Sequence, residues 1–206
     1  MKILVLGAGV IGVTSAYYLA RAGHEVTVVD RQLSAALETS FANGGLVSPS
    51  HAEPWAGPDT PGQIFRWFFR RNAPFRFRLQ SDPGFLSWCI NFLNNCRTSR
   101  SAVHGARMLR LALYSRDCLR QLRDETGISY QAQQKGILHF YRNPKELHKN
   151  KVRAQRMAEL GCPFRSLSPI EAADIEPALD KVRSQIAGGL YYPEDESGDA
   201  YVFTQN

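Results

Sequence analysis

The stretch Lys2–Asp30, KILVLGAGVIGVTSAYYLARAGHEVTVVD, decides how the chain begins to fold. Lys2 to Leu6 is a short run of β-branched and leucine residues, the composition of a buried strand. GAGVIG follows at once. VTSAYYLARAG then reads as a helix stopped by Gly23, and HEVTVVD as a second strand carrying Val26, Val28 and Val29. Strand, glycine turn, helix and strand together make a β-α-β unit. The span Ile3 to Ala20 is uncharged and follows Lys2, as in a signal peptide or membrane helix. Gly7, Gly9 and Gly12, with Thr14 and Ser15 behind them, break that pattern, so neither a cleaved signal nor a membrane span is expected.

Each glycine has a physical task in such a unit. Gly7 permits the tight turn out of the strand. Gly9 lets backbone approach a pyrophosphate with no Cβ in the way. Gly12, helped by Ala16, lets the helix lie close to the sheet. The helix N-terminus offers free N–H groups and the positive end of its dipole to phosphates. Asp30 closes the second strand, eighteen positions after Gly12. A carboxylate there can accept both hydroxyls of an adenosine ribose and repels a 2′-phosphate, which disfavours NADP.

The glycine turn alone does not separate FAD from NAD. In an NAD domain the second strand usually leads into another crossover helix. Here it leads into LSAALETSFANGGLVSP, where Ser40, Asn43, Gly44 and Gly45 are poor helix-interior residues. Such a loop can lie along an extended cofactor and supply donors beyond the pyrophosphate turn. VLGAGVIGVTSAYYLARAGHEVTVVDR followed by ETSFANGGLVSPSHAEPWAGPDTP resembles the N-terminal half of the D-amino acid dehydrogenase group, within the FAD-dependent D-amino acid oxidase family. YSRDCLRQLRDETGISY, LSPIEAADIEPAL and GGLYYPEDESGDAYVFTQ extend the resemblance over essentially all 206 residues.

The resemblance implies an α/β chain. Residues 1–60 would be the first part of an FAD-binding Rossmann-like domain and 61–200 part of an antiparallel α+β substrate domain. Residues 201–206 would begin a segment returning to the first. It implies oxidation of a D-amino acid to the imino acid by hydride transfer from Cα to flavin N5, and hydrolysis to a 2-oxo acid and ammonium. The electrons would pass to a quinone or another acceptor, in a cytoplasmic enzyme peripheral to the inner membrane. The implied cofactor-binding set is Gly7, Ala8, Gly9, Val10, Ile11, Gly12, Asp30 and Arg31, with Ser40, Asn43, Gly44 and Gly45 as a flavin-side clamp. Related proteins are longer, so the chain is expected to be a truncated product or a fragment that binds FAD poorly by itself and does not turn over. A glycine, sarcosine or opine oxidoreductase subunit, a non-catalytic interaction module and an NAD dehydrogenase remain as other readings.

The rest of the sequence is less specific. The chain is 44% hydrophobic and 21% charged, with a net charge of +6 and a pI near 9.3. That balance suits an anionic membrane, an acidic ligand or simply a solvated surface. No nucleic-acid-binding motif accompanies it. Cys89, Cys96, Cys118 and Cys162 form no C-x-x-C pair and no zinc pattern, so reduced thiols and no metal site are expected. Arg66, Arg70, Arg71, Arg76 and Arg78 alternate with Phe65, Trp67, Phe68, Phe69, Phe75 and Phe77; this reads as aromatic core with a solvated basic rim, or as a membrane-surface anchor.

SAVHGARMLRLALYSRDCLRQLRDETG is a long helix with Val103, Ala106, Leu109, Leu113, Leu119 and Leu122 at helical spacing and Gly127 at its end. His104 on it has no second ligand nearby. A hairpin is expected from Ile128–Gln133 and Ile137–Arg142, and a further helix from Lys145 to Leu160. Ser168, Pro169 and Glu171 form a helix-start signal, and Glu176-Pro177 ends that helix. Glu194, Asp195 and Glu196 read as a solvated acidic turn. His51 and Trp55 could approach a substrate, but no catalytic residue can be assigned.

Overall fold

The computed structural model describes residues 1–68 and 82–206. Phe69, Arg70, Arg71, Phe75, Arg76, Phe77 and Arg78, of the aromatic and basic stretch read from the sequence, lie outside those residues. Strand β1 (Lys2–Leu6) and strand β2 (Glu25–Val29) pair in parallel, from Lys2 opposite Glu25 to Leu6 opposite Val29. Helix α1 (Val10–Arg21) crosses between them, and Gly23 turns the chain back with φ +83°. Neither strand contains a buried residue: Leu4 is 60% exposed and Leu6 78%. A parallel sheet is ordinarily covered on both faces.

From Asp30 to Gly45 the chain makes turns and bends without helix or strand, as its small polar residues suggest. Strand β3 (Leu46–Val47) follows, then a 3-10 turn at Pro49–His51 and helix α2 (Thr60–Phe68). Helix α3 (Pro83–Asn95) starts with Pro83 in its first turn and the Asp82 carboxylate accepting from Gly84 N. Helix α4 (Thr98–Thr126) ends at Gly127, whose φ of +67° is the left-handed cap that glycine adopts most easily.

The second half builds the core. Strand β4 (Ile137–Tyr141), helix α5 (Pro144–Glu159), strand β5 (Arg165–Leu167), helix α6 (Pro169–Ile175), strand β6 (Gly188–Tyr192), strand β7 (Glu196–Ser197) and helix α7 (Ala200–Gln205) follow in order, with a 3-10 stretch at Pro177–Gln185. The three longer strands form an antiparallel sheet in the order β4-β6-β5. Leu109 of α4, Ala154 and Met157 of α5, Cys162, Leu190 and Tyr192 make one apolar cluster. Leu167, Ala172, Ala173, Leu179 and Ile186 make the other. Ser168 accepts from Glu171 N while Glu171 accepts from Ser168 N, the expected capping box, of a kind that stabilises by about 1 kcal/mol.

Three expectations change. Ile128–Gln133 is not the partner of the next strand: β4 pairs with β6, and Gln133 forms an isolated bridge with Ser197. The sheet that covers the core thus wins over the local hairpin. Val103 does not join the apolar face of α4 but is 50% exposed. Asp195 and Glu196 are not solvated: they are 1% and 2% exposed, Glu196 held by Arg120 and Arg123 of α4 and Asp195 by the Ser48 hydroxyl.

The two ends of the chain are tied together. β3 pairs antiparallel with β7, Leu46 opposite Ser197 and Val47 opposite Glu196. Helix α7 packs on α1, and Gln205 Nε2 donates to Ser34 Oγ at 3.1 Å and to Ala35 O. The four cysteines are free thiols. Among the described residues no helix is long and apolar enough to cross a membrane, and no cluster of side chains could hold a metal ion.

Candidate functional site

The glycine turn follows β1 directly. Gly7 adopts φ +103°, a conformation other residues rarely take. Gly12 is the position most tightly enclosed: a Cβ there would stand 1.9 Å from Gly7 O. At Gly9 a Cβ would meet Ser40 Oγ at 3.3 Å. The turn thus brings the backbone of residues 7–12 into one small arc at the N-terminus of α1. Ala8 N and Val10 N have side-chain acceptors, while Gly9, Ile11 and Gly12 present N–H groups with no protein acceptor among the described residues. Three unspent donors at a helix N-terminus form an anion-binding surface.

Asp30, at the end of β2, faces this turn. Its Oδ2 accepts from Ala8 N at 2.6 Å and its Oδ1 from Gln32 N at 2.7 Å. These two backbone donors hold the carboxyl below its ordinary pKa, so it is ionised near neutral pH. Each oxygen keeps a lone pair for a further donor. Beside it Arg31 makes a two-pronged pair with Glu38, Nε to Oε1 at 2.6 Å and Nη2 to Oε2 at 2.5 Å. Gln32 Nε2 adds a bond to Glu38 at 2.9 Å. Arg31 is therefore committed to closing the loop that follows β2.

Residues 36–40 fold back over the turn. Ala36 N donates to Ala8 O at 2.9 Å, and Ser40 Oγ accepts from Val10 N at 3.0 Å. The Ser40 hydroxyl thus caps the first turn of α1 while the residue also borders the loop of Asn43, Gly44 and Gly45. A groove of 580 Å³ lies here, bounded by Gly7, Gly9, Asp30, Ala36, Leu37 and Ser40 among others. A second groove of 360 Å³ runs on from Ser40 past Asn43, Gly44 and Gly45 to Gly198 and Asp199.

Asn43 shapes its own loop: Nδ2 donates to Thr39 O at 3.3 Å and to Ser40 O at 3.4 Å, and Oδ1 accepts from Gly45 N at 2.7 Å. Gly45 has φ +58°, and a Cβ there would fall 2.4 Å from Gly198 O. The adjacent glycines are therefore needed where the loop passes close to the β7 corner, and Gly198 N donates to Gly45 O at 2.8 Å.

Behind the second groove lies a polar network that sequence reasoning missed. Arg116 Nη1 reaches Glu194 Oε2 at 2.6 Å, Arg120 Nε reaches Glu196 Oε1 at 2.6 Å, and Arg123 Nη1 reaches Glu196 Oε2 at 2.7 Å. The signal was present as arginines at positions 116, 120 and 123, one stripe of α4 at spacings of four and three. Burial pushes the Glu196 carboxyl up, but the bonds from Arg123 and Arg120 outweigh it and leave the pKa lowered. The Asp195 carboxylate accepts from Ser48 Oγ, and Ser48 Oγ lies 3.0 Å from Ser50 Oγ. The His51 and His139 rings lie 4.6 Å apart, tilted by 32°. Burial, and then His51, push the His139 pKa down against the opposing pull of Asp195, which keeps the ring neutral. Trp55 is 76% exposed and His104 half-buried; neither is brought to the glycine turn.

The FAD dependent oxidoreductase family model matches residues 2–206. A D-amino acid dehydrogenase of Paramagnetospirillum magneticum is 52% identical over 206 residues, all of this chain and 49% of that protein. One of Bradyrhizobium diazoefficiens is 47% identical over 205 residues, with the same coverage. The chain thus spans about half the length of the curated relatives it matches. Among solved structures, glycine oxidase of Bacillus cereus superposes with a TM-score of 0.60 at 24% identity, covering 98% of this chain and 41% of that one. L-proline dehydrogenase of P. horikoshii superposes with a TM-score of 0.62 at 19% identity, covering 98% and 39%. At those identities the superpositions establish a shared fold.

Proposed function

The chain belongs to the FAD dependent oxidoreductase family, and from that premise we propose that it is the FAD-cradling portion of a D-amino acid dehydrogenase. The observation that carries the cofactor part is the arc at Gly7–Gly12: backbone too tightly enclosed at Gly12 to admit a Cβ, unspent N–H groups at Gly9, Ile11 and Gly12, and the ionised Asp30 beside them. Those features fit the adenosine diphosphate end of FAD. The N–H groups would take the pyrophosphate, with Ala8 and Val10 completing the arc, and the open lone pairs of Asp30 would take the ribose hydroxyls. Arg31 would brace the loop over that end. Ser40 stands where the two grooves meet, and Asn43, Gly44 and Gly45 line the second one, where the flavin end would extend. Bound FAD would supply the hydride acceptor. The protein's own part is to hold it extended, with the buried Arg–Glu network keeping the β7 corner against Gly45.

In this reading residues 1–60 contribute to cofactor binding and 61–200 to the substrate domain, with α7 starting the return to α1. The substrate is a D-amino acid, in keeping with the names of the relatives at 52% and 47% identity. We also take the protein to be cytoplasmic and peripheral to the inner membrane, with a quinone as electron acceptor. The substrate reading is tested by joining this chain to the part of the Paramagnetospirillum relative that it does not cover. Dye-coupled oxidation of D-alanine, L-alanine, glycine, sarcosine and an opine is then compared. Oxidation of D-alanine well ahead of the other four is expected. A preference for glycine, sarcosine or an opine would replace the substrate assignment while leaving the flavin assignment intact.

A further inference from the structure

Among the described residues that bound the groove beside the glycine turn, three are charged: Asp30, Arg31 and Glu38. Asp30 has the place that receives ribose hydroxyls. Arg31 is the next residue, and an arginine near the ribose-binding acid is what accommodates a 2′-phosphate in dinucleotide-binding folds. The chain thus sets a group that rejects a 2′-phosphate beside one that attracts it. Glu38 decides between them. Its two carboxylate oxygens accept from Nε of Arg31 at 2.6 Å and from Nη2 at 2.5 Å, and Gln32 Nε2 donates to it at 2.9 Å.

An exposed ion pair ordinarily holds little, because two long side chains must be ordered in water. Both side chains are exposed here, Arg31 at 76% and Glu38 at 44%. The pair is nevertheless better placed than most. Its two bonds use the fork geometry in which guanidinium and carboxylate match best. Gln32 adds a third donor. The backbone that presents Glu38 is pinned two residues to either side: Ala36 N donates to Ala8 O at 2.9 Å, and Ser40 Oγ accepts from Val10 N at 3.0 Å. Glu38 therefore stands at a fixed place over the turn. The bonds from Arg31, and then from Gln32, hold its carboxyl below the ordinary pKa, so it is ionised near neutral pH.

We infer that Glu38 is a specificity-determining residue: by engaging Arg31 it keeps that guanidinium from a 2′-phosphate and confines the groove to adenine nucleotides with a free 2′-hydroxyl. This rests on the cofactor reading proposed above and names a residue that sets its selectivity. Two ionised carboxylates and one guanidinium leave the groove with a formal charge of −1, which opposes a further phosphate. Without the Glu38 charge the groove is neutral and Arg31 is released. Without the Asp30 charge as well, the released Arg31 is the one charge left, as in a site that takes a 2′-phosphate. Discrimination thus has two parts, a repulsive group and the neutralisation of an attractive one. Asp30 repels the extra phosphate, and Glu38 occupies the group that would bind it.

The test is equilibrium titration of the 206-residue chain with ADP and with its 2′-phosphorylated form. Glu38→Gln is expected to leave ADP affinity within about twofold of wild type and to lower the preference for ADP about fivefold, the effect of one unit charge about 4 Å away in water. Glu38→Gln combined with Asp30→Asn should reverse the preference in favour of the 2′-phosphate, whereas Asp30→Asn alone, with Arg31 still engaged, should not. Arg31→Gln leaves both carboxylates and should widen the preference for ADP about fivefold. Added to Glu38→Gln, it should restore the wild-type preference. A preference that keeps its wild-type value in Glu38→Gln or in Arg31→Gln would overturn the inference and leave the ADP site standing. Equal weakening of both nucleotides by Glu38→Gln would make Glu38 a brace of the loop alone and overturn it too. No ADP binding by the wild-type chain would overturn the cofactor reading and this inference together.

Discussion

Gly12→Ala is expected to dismantle the glycine turn. A Cβ at that position would lie 1.9 Å from Gly7 O and 3.0 Å from Gly7 C, both backbone atoms that cannot rotate away. The helix must therefore back off from β1, or the turn must open. Overpacking of this kind costs about 3 kcal/mol, at the upper end of its usual range, which lowers the melting temperature by roughly 6–12 °C in a chain of this size. The same displacement moves the N–H groups of Gly9, Ile11 and Gly12 off their common arc, so flavin or ADP affinity should fall by at least about a hundredfold, some 2.7 kcal/mol. Gly62→Ala is the matched control. A Cβ there meets no atom within 4 Å among the described residues and lies in α2, outside the proposed site, so both the stability and the affinity should stay near wild type. Calorimetry and nucleotide titration of the two variants measure the difference; equal behaviour would show that the enclosure at Gly12 does not hold the turn together.

Glu196→Gln should be nearly as damaging, for an electrostatic reason. The Glu196 side chain is 3% exposed and takes bonds from both Arg120 and Arg123. Removing one partner of a buried pair leaves the other charge without compensation and costs about 3–5 kcal/mol. The loss loosens the β7 corner against which Gly45 and the second groove are built. The pH dependence follows from the direction of the shift. Folding lowers the Glu196 pKa, because the two arginine bonds outweigh the opposing effect of burial. Its contribution is therefore fully present above the unfolded carboxyl value of about 4.3 and disappears as pH falls through the lower folded value. Chemical denaturation should show a wide gap between wild type and Glu196→Gln at pH 7 that narrows below about pH 4. A gap that is small at pH 7, or that does not change with acid, would mean that the pair does not stabilise the fold.

The β-α-β unit was legible because every signal that specifies it is local. The apolar run at Lys2–Leu6, the three glycines, the helix stop at Gly23 and the acid at the end of β2 all lie within thirty residues. The capping box at Ser168 and the left-handed stop at Gly127 are local in the same way. What the sequence did not disclose depends on contacts between distant segments. Gly136, with φ +71°, turns the chain as a hairpin corner would, yet β4 takes β6 as its partner some fifty residues on, because that sheet covers Leu109 and Met157. Glu194 and Glu196 looked solvated because their arginine partners lie more than seventy positions earlier, and Asp195 because its partner, the Ser48 hydroxyl, lies farther back still. Gly45 was read as a cofactor contact, and its close approach to Gly198 O supplies a structural requirement for glycine that no local pattern could reveal. Ser40 was placed beyond the turn, and only the folded loop shows that it accepts from Val10 N at 3.0 Å.

The claim that the arc at residues 7–12 together with Asp30 receives the adenosine diphosphate end of FAD is tested most directly by equilibrium binding to the chain itself. FAD and ADP should compete for one saturable site. The 2′-phosphorylated form of ADP should bind at least about tenfold more weakly, a difference of some 1.4 kcal/mol, because its extra phosphate meets the ionised Asp30 carboxylate. Asp30→Asn should erase that discrimination. Absence of a saturable ADP site, or a preference for the 2′-phosphate that Asp30→Asn leaves unchanged, would contradict the account.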